Sequence, residues 1–196
     1  MQVNFKKHCL VIVLWLAFNV LLFTTESFGI ILILLGLSIV IILTHKYKKK
    51  FAIWSVVTYL TTMMLEILGT NAVLIFGEYS YGNNLGIKLF GVPLIIGLLW
   101  IILILGSVSV VNRLKLQPFY SGLVLIIFDI PLEIVATRQE LWHFVGGVSL
   151  INFLTWGLIG ILFSYYLDRI KIKFASKTGS TLFIGQGLIF ALIAFL

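Results

Sequence analysis

The chain has 196 residues, of which 61% are hydrophobic and 11% are charged, and its net charge is +7. Such an apolar composition exceeds what the core of one soluble domain can bury, which excludes a water-soluble fold and indicates lipid as the solvent. The basic residues lie in short runs between apolar segments, which is typical of membrane orientation and not of a nucleic-acid-binding face.

Seven apolar segments approach or exceed the length of about 20 residues that a transmembrane helix needs. In chain order they lie at 9–25, 28–44, 51–76, 89–111, 118–136, 147–167 and 180–196. The first resembles a signal peptide in outline, but no small-x-small cleavage site follows it, so we interpret it as an uncleaved span. The predicted fold is an all-α integral membrane protein, a bundle of about seven transmembrane helices in a single polytopic domain over residues 1–196.

The basic residues also orient this bundle. If the N-terminus is cytoplasmic, only Lys88 and Arg138 of the 14 Lys and Arg residues fall on the outer side. Positive charge accumulates on the cytoplasmic side of membrane proteins. This bias therefore predicts a cytoplasmic N-terminus and a multi-pass protein of the cell membrane.

Three acidic residues lie inside the predicted spans, and no span contains a basic residue that could pair with them. Glu66 belongs to the third span, while Asp129 and Glu133 lie one helical turn apart in the fifth, with Pro131 between them. In the predicted orientation all three lie in the outer half of the membrane. A carboxyl group in such surroundings resists ionisation, and intramembrane acids are typical of functional sites. The sequence therefore predicts a cluster of catalytic or proton-carrying carboxyl groups.

Polar and aromatic residues of other segments fall in the same leaflet and are the candidate substrate-binding residues: Trp100, Asn152, Trp156, Tyr79 and Tyr81. A polar stripe along one face of the third span comprises Thr58, Thr62, Glu66 and Thr70. Threonines at this spacing ordinarily serve helix packing, and tyrosines near a segment end ordinarily belong to an interfacial aromatic belt. A polar pocket is the alternative interpretation, and the depth of Trp156 favours it.

Two blocks of the sequence carry a recognisable pattern. The first block lies at 65–100 and reads LEILGTNAVLIFGEYSYGNNLGIKLFGVPLIIGLLW. Its pattern begins with a Glu and a Gly, continues with Phe-Gly-x-Tyr-x-Tyr, Leu-Gly and Gly-Val-Pro-Leu, and ends with a Trp. The second block matches more loosely and contains Asp129, Pro131, Trp142, Asn152 and Trp156. Together the blocks resemble the CruF-like carotenoid biosynthesis proteins, the bisanhydrobacterioruberin and carotenoid 1,2-hydratases.

This resemblance implies an enzyme that hydrates a carbon–carbon double bond at an acyclic carotenoid end and forms a tertiary alcohol. The implied partners are a carotenoid substrate and membrane lipid, without nucleic acid. No cofactor is required, and no metal site is predicted because no Cys or His cluster has ligand spacing.

The chemistry of hydration fits the predicted carboxyl cluster. Protonation of a trisubstituted alkene gives a tertiary carbocation, so an acid, a water molecule and a cation-stabilising wall are needed. We expect Asp129 to donate the proton, Glu66 to position the attacking water or accept its proton, and Glu133 to return protons to the site. The aromatic candidates supply the wall.

Three other functions compete with this interpretation. A carotenoid cyclase or isomerase begins with the same protonation and then loses a proton, and nothing in the sequence separates it from a hydratase. A small proton-coupled transporter would use Glu66 and Asp129 as a relay, but no inverted repeat or pair of broken helices is evident. A structural lipid-packing protein would have no use for the unpaired acids.

Overall fold

The structure is a computed structural model, and it describes residues 9–17, 48–72 and 75–196. The helices among these residues are α1 (residues 9–17), α2 (Lys48–Ala72), α3 (Ile95–Arg113), α4 (Tyr120–Arg138), α5 (Leu150–Arg169) and α6 (Lys177–Phe195). Helices α2 to α6 are each long and apolar enough to cross a membrane, which indicates a membrane protein. The predicted span 28–44 and most of 9–25 lie outside the described residues. The total of seven spans and the cytoplasmic N-terminus therefore stay predictions.

The predicted third to seventh spans coincide with α2 to α6, although their ends differ by a few residues. The largest difference is at the start of α3, which we predicted at residue 89 and which begins at Ile95. The residues before it turn sharply, because Gly91 has a φ of +84° and Val92–Pro93 is extended. A proline lacks the backbone N–H that a strand or helix interior uses, so it fits best at an element boundary.

The start of α5 also differs from the prediction, which placed it at residue 147. Gly147 has a φ of +93°, a conformation outside the helical region. The helix is capped instead by Ser149, whose hydroxyl oxygen accepts a hydrogen bond from the backbone N–H of Asn152. This cap fixes the position of Asn152 in the first turn of α5.

Four short strands depart from the all-α prediction: β1 (Tyr79–Tyr81), β2 (Lys88–Leu89), β3 (Val92–Pro93) and β4 (Trp142–Phe144). Strand β1 pairs antiparallel with β4, and β2 pairs antiparallel with β3. Segments of two or three residues are too short for an alternating pattern to reveal them. The β1–β4 pair joins the connection after α2 to the connection after α4.

Side-chain hydrogen bonds between distant residues show how the helices run past one another. Trp54 near the start of α2 donates its Nε1–H to the carbonyl of Phe163 near the end of α5, at 3.2 Å. Asn112 at the end of α3 donates to the carbonyl of Phe174, just before α6, at 3.1 Å. Both pairs of helices are therefore antiparallel.

The two ends of the bundle differ in charge. Arg138 at the end of α4 donates to the carbonyls of Ile193 and Ala194 at the end of α6, so these two helices finish at the same end. That end also holds the four strands, and we call it the strand end. The opposite end, here the basic end, carries Arg113, Lys115, Arg169, Lys171, Lys173 and Lys177.

Helices α4 and α5 cross closely through glycines. A Cβ atom at Gly160 would lie 3.1 Å from the Cα of Gly122, and a Cβ at Gly122 would overlap the carbonyl of Gly157. The Ser121 hydroxyl donates to the carbonyl of Gly160 at 3.0 Å. Small residues at a membrane helix crossing let the backbones approach. This crossing brings the acidic face of α4 against the first turns of α5.

Candidate active site

A cavity lies between α3, α4 and α6 and holds about 1300 Å³ of space not occupied by protein atoms, part of it open to the outside. Its lining runs from Ile96 to Gly106 on α3 and from Gly179 to Phe190 on α6. Because a helix rises about 1.5 Å per residue, each of these walls is about 15 Å long. The cavity is therefore elongated along the bundle.

Most of the cavity is lined by hydrocarbon, and we call this part the apolar arm. Its lining includes Leu99, Leu103, Phe128, Leu182, Phe183 and Phe190. Phe128 and Phe183 stack with their ring centroids 4.5 Å apart. Gln186 is a polar exception, and its Nε2 has no hydrogen-bond partner among the described residues. The arm suits a long apolar chain.

The lining at the strand end is polar, and Glu66 on α2 is its first carboxyl group. Its Oε2 accepts hydrogen bonds from the hydroxyls of Tyr79 at 2.5 Å and Tyr81 at 2.7 Å. Its Oε1 accepts a third, from the indole N–H of Trp100 at 2.8 Å. Three donors converging on one buried carboxyl group suit an acceptor with negative charge.

The two tyrosines remain donors at physiological pH. Burial, followed by the nearby Glu66 carboxylate, raises the pKa of Tyr79 above its usual value. The same two causes, in the same order, raise the pKa of Tyr81 well above its usual value. Both phenols therefore keep their protons and point them at Glu66.

The second polar group is a pair of acids on α4. The Nδ2 of Asn152 donates to Asp129 Oδ2 at 2.8 Å and to Glu133 Oε1 at 2.9 Å. Trp142 on β4 donates its indole N–H to Glu133 Oε2 at 2.6 Å. Because one nitrogen contacts both acids, their carboxyl groups lie side by side, and two negative charges at such a distance repel.

The two acids differ in their access to the cavity. Glu133 lines it, whereas Asp129 is fully buried and is not among the lining residues. The Oδ1 of Asp129 has no hydrogen-bond partner among the described residues. An unpartnered oxygen next to a second carboxyl group is a position where the pair could hold one shared proton.

Aromatic faces flank the carboxyl groups. The rings of Trp100 and Trp156 lie 4.3 Å apart between centroids and tilt by 40°. Tyr79 stacks on Phe144 at 5.1 Å, and both line the cavity. Such faces can stabilise a positive charge that forms between them.

The structure brings seven of the eight sequence-predicted site residues to the cavity lining: Glu66, Tyr79, Tyr81, Trp100, Glu133, Asn152 and Trp156. The eighth, Asp129, contacts the lining through the Asn152 amide. The threonine stripe follows its ordinary interpretation, since Thr58 and Thr62 are buried and donate to carbonyls of their own helix.

Sequence reasoning did not include Trp142 among the site residues. This tryptophan lies beside an exposed histidine in a short connection, where an interfacial aromatic residue is the usual interpretation. Its place in the second pattern block was the one available signal. The bond to Glu133 depends on the pairing of β4 with β1, which no local spacing encodes.

Comparisons with known proteins agree with the sequence pattern. The sequence model of one family, described as carotenoid biosynthesis protein, matches residues 28–194. Comparisons with curated proteins and with solved structures give no match. The family match spans most of the chain and includes every residue of the site just described. The resemblance seen in the sequence is thereby confirmed, and the chain belongs to the carotenoid biosynthesis protein family.

Proposed function

We propose that this protein is a carotenoid hydratase that adds water to the terminal double bond of an acyclic carotenoid end group. The observation that carries the proposal is a single elongated cavity with carboxyl groups and aromatic faces at one end and hydrocarbon along the rest. Its setting is the cell membrane, and its partners are lipid and the carotenoid that lipid dissolves.

The apolar arm supports a linear polyene as the substrate. About 15 Å of extended chain can lie beside its helical walls, which is less than the length of a carotenoid. One end of the molecule would therefore lie among the carboxyl groups, while the remainder extends past the arm. Apolar burial drives entry, because the polyene has no polar group to hydrate.

The acid pair supplies the proton. Asp129 and Glu133 act as one acid that shares a proton, and Glu133 is the member that meets the substrate because it lines the cavity. This differs from the sequence prediction, which gave direct donation to Asp129. The electrons of the double bond form the new carbon–hydrogen bond, and a tertiary carbocation is left on the neighbouring carbon.

Aromatic residues and Glu66 complete the reaction. The faces of Trp100 and Trp156 stabilise the cation, and a water oxygen then forms the new carbon–oxygen bond. Glu66 accepts the proton that the water loses, which suits a carboxylate held ready by three donors. Transfer of that proton back to the acid pair resets the site. The product is a tertiary alcohol.

Expression in a lycopene-producing host tests the proposal. Hydration adds the mass of one water for each reacted end, whereas cyclisation or isomerisation leaves the pigment mass unchanged. Glu133→Gln and Glu66→Gln should abolish the mass increase. Glu78→Gln is the matched control, because Glu78 is exposed in the same connection as β1 and does not line the cavity. Pigments of unchanged mass in the presence of inserted protein would reject hydration.

A further inference from the structure

A second pocket opens at the strand end, and we call it the vestibule. Its polar lining comprises Ser80, Thr137, Glu140 and His143. Ser80, Glu140 and His143 have exposed side chains, so the vestibule is in contact with water. The apolar arm lies on the far side of the carboxyl groups. The site therefore lies between a hydrocarbon-lined approach and a polar one.

Two aromatic side chains separate the vestibule from the cavity, because Tyr81 and Trp142 line both. They are opposite each other in the β1–β4 register, and their ring centroids are 6.0 Å apart at an angle of 76°. On the cavity side, Tyr81 donates to Glu66 at 2.7 Å and Trp142 donates to Glu133 at 2.6 Å. The partition is thus attached to both carboxyl groups that line the cavity.

The backbone around this partition is fixed. The N–H of Gly82 donates to the carbonyl of Leu141 at 2.9 Å, which extends the strand pairing by one residue. A Cβ atom at Gly82 would overlap the carbonyl of Glu140, so the two paired backbone segments are already at their closest approach. Opening the partition therefore requires rotation of the two side chains and no displacement of the strands.

We propose that the vestibule is a binding site for water and that Tyr81 and Trp142 form a gate through which water reaches the carboxyl groups. The need for such a route rests on the proposed hydration, in which a polyene fills the apolar arm and leaves no path for water on that side. Polar groups at the vestibule can hold water by hydrogen bonds, and exposed hydrocarbon cannot. Water therefore enters through the gate, from the side opposite to the polyene.

Cysteine labelling tests the route without any carotenoid. The chain has a single native cysteine, so a Cys9→Ser background contains no other thiol. Ser80→Cys reports on the vestibule, and Leu132→Cys reports on the cavity beside the acids, where Leu132 is buried and lines the wall. The probe is a small charged methanethiosulfonate applied to protein in nanodiscs, which expose both ends of the bundle to water.

The gate sets the expected rates. Ser80→Cys should react quickly in every background, and Leu132→Cys should react slowly while the gate is intact. Adding Trp142→Ala or Tyr81→Ala should raise the rate at Leu132→Cys by about tenfold or more, as expected when a closing contact is lost. Tyr81→Phe keeps the ring and loses the bond to Glu66, so it should give a smaller increase.

His143→Ala is the matched control, because His143 directly follows Trp142 in sequence, lines the vestibule and does not line the cavity. It should leave both rates unchanged. If either gate variant folds, as judged by normal Ser80→Cys labelling, and the rate at Leu132→Cys does not rise, the gate is wrong. If the labelling rates follow the prediction but the pigment mass stays unchanged, the hydratase proposal alone is rejected. If the pigment mass increases but the labelling rates do not follow the prediction, the gate proposal alone is rejected.

Discussion

Trp100 donates its indole N–H to Glu66 over 2.8 Å while its ring packs against Trp156 at a centroid distance of 4.3 Å. One side chain therefore links the carboxyl group proposed as the base to the aromatic wall proposed to stabilise the cation. The base and the cation would be neighbours without a bond between them, so a water molecule between the two could attack the cation on one side and lose its proton to Glu66 on the other.

The acid pair gives the first prediction. Asp129→Asn and Glu133→Gln keep the shape of each group but remove the shared proton, so each should lower hydration by roughly 10²–10⁴-fold, the usual size of general acid catalysis. The measurement is hydrated pigment per mole of membrane-inserted protein, with Glu78→Gln as the control. If Glu133→Gln hydrates at a near-normal rate while Asp129→Asn is inactive, Asp129 is the direct proton donor, as the sequence predicted.

The second prediction concerns the donors around Glu66. Glu66→Gln should reduce hydration as severely as the loss of the acid, since an amide cannot accept the proton from water. Tyr79→Phe removes one donor of three and should cost about tenfold, the effect of a single charge-assisted hydrogen bond. Insertion and thermal stability of the protein are measured in parallel. If Tyr79→Phe is as inactive as Glu66→Gln, the tyrosine has a more direct role than positioning.

Aromatic stabilisation of the cation gives the third prediction. Trp156→Leu and Trp100→Leu should lower turnover more than they lower membrane expression, while Trp156→Phe should recover part of the activity because it keeps a π face. Trp156 is the cleaner test, since Trp100 also binds Glu66. Equal activities for the Leu and Phe variants at position 156 would make this tryptophan a packing residue.

The α4–α5 crossing gives a prediction on stability. Gly160→Leu inserts a side chain where the backbones touch, so it should destabilise the protein by about 1–3 kcal/mol, as overpacking typically does. Thermal unfolding in detergent measures the effect. Gly185→Ala is the control, because a Cβ there would have its nearest neighbour at 4.0 Å, in Trp15. An unfolding temperature unchanged by Gly160→Leu would show that the crossing tolerates separation.

The last prediction concerns topology. Reporter fusions after Lys50, Asn84, Lys115 and Lys173 should read inside, outside, inside and inside, because the basic end should face the cytoplasm. The fusion after Asn84 is decisive, since it lies at the strand end between α2 and α3. A cytoplasmic signal there would invert the orientation and make the vestibule face the cell interior.

The sequence was sufficient to predict the parts of the candidate site that depend on one helix at a time. Apolar length located α2 to α6, and acids in apolar surroundings identified Glu66, Asp129 and Glu133. What it could not give was the rotation and depth of α4 against its neighbours, on which it depends that Glu133 lines the cavity and Asp129, one turn away on the same face, does not. Rotation is decided by contacts between helices, and a single helical pattern does not contain them.

The strand end was also beyond prediction, for a different reason. Tyr79 and Tyr81 are two residues apart, which is consistent with a strand as well as with a loop. The partner that makes them a strand begins at Trp142, more than sixty positions away. Pairing of two such short segments depends on where α2 and α4 end in space.

Among the described residues, the carboxyl groups lie at one end of the cavity, and this asymmetry would have a kinetic consequence for the proposed reaction. In the proposed hydration, a carotenoid with two identical ends could present only one of them per visit, and the molecule would have to leave, reverse and enter again before the other could react. The enzyme would then work distributively: the singly hydrated pigment would accumulate first, and the doubly hydrated one would appear only after a lag. How far conversion proceeds in the cell would depend on how the unreacted and the singly hydrated pigment compete for binding to the apolar arm.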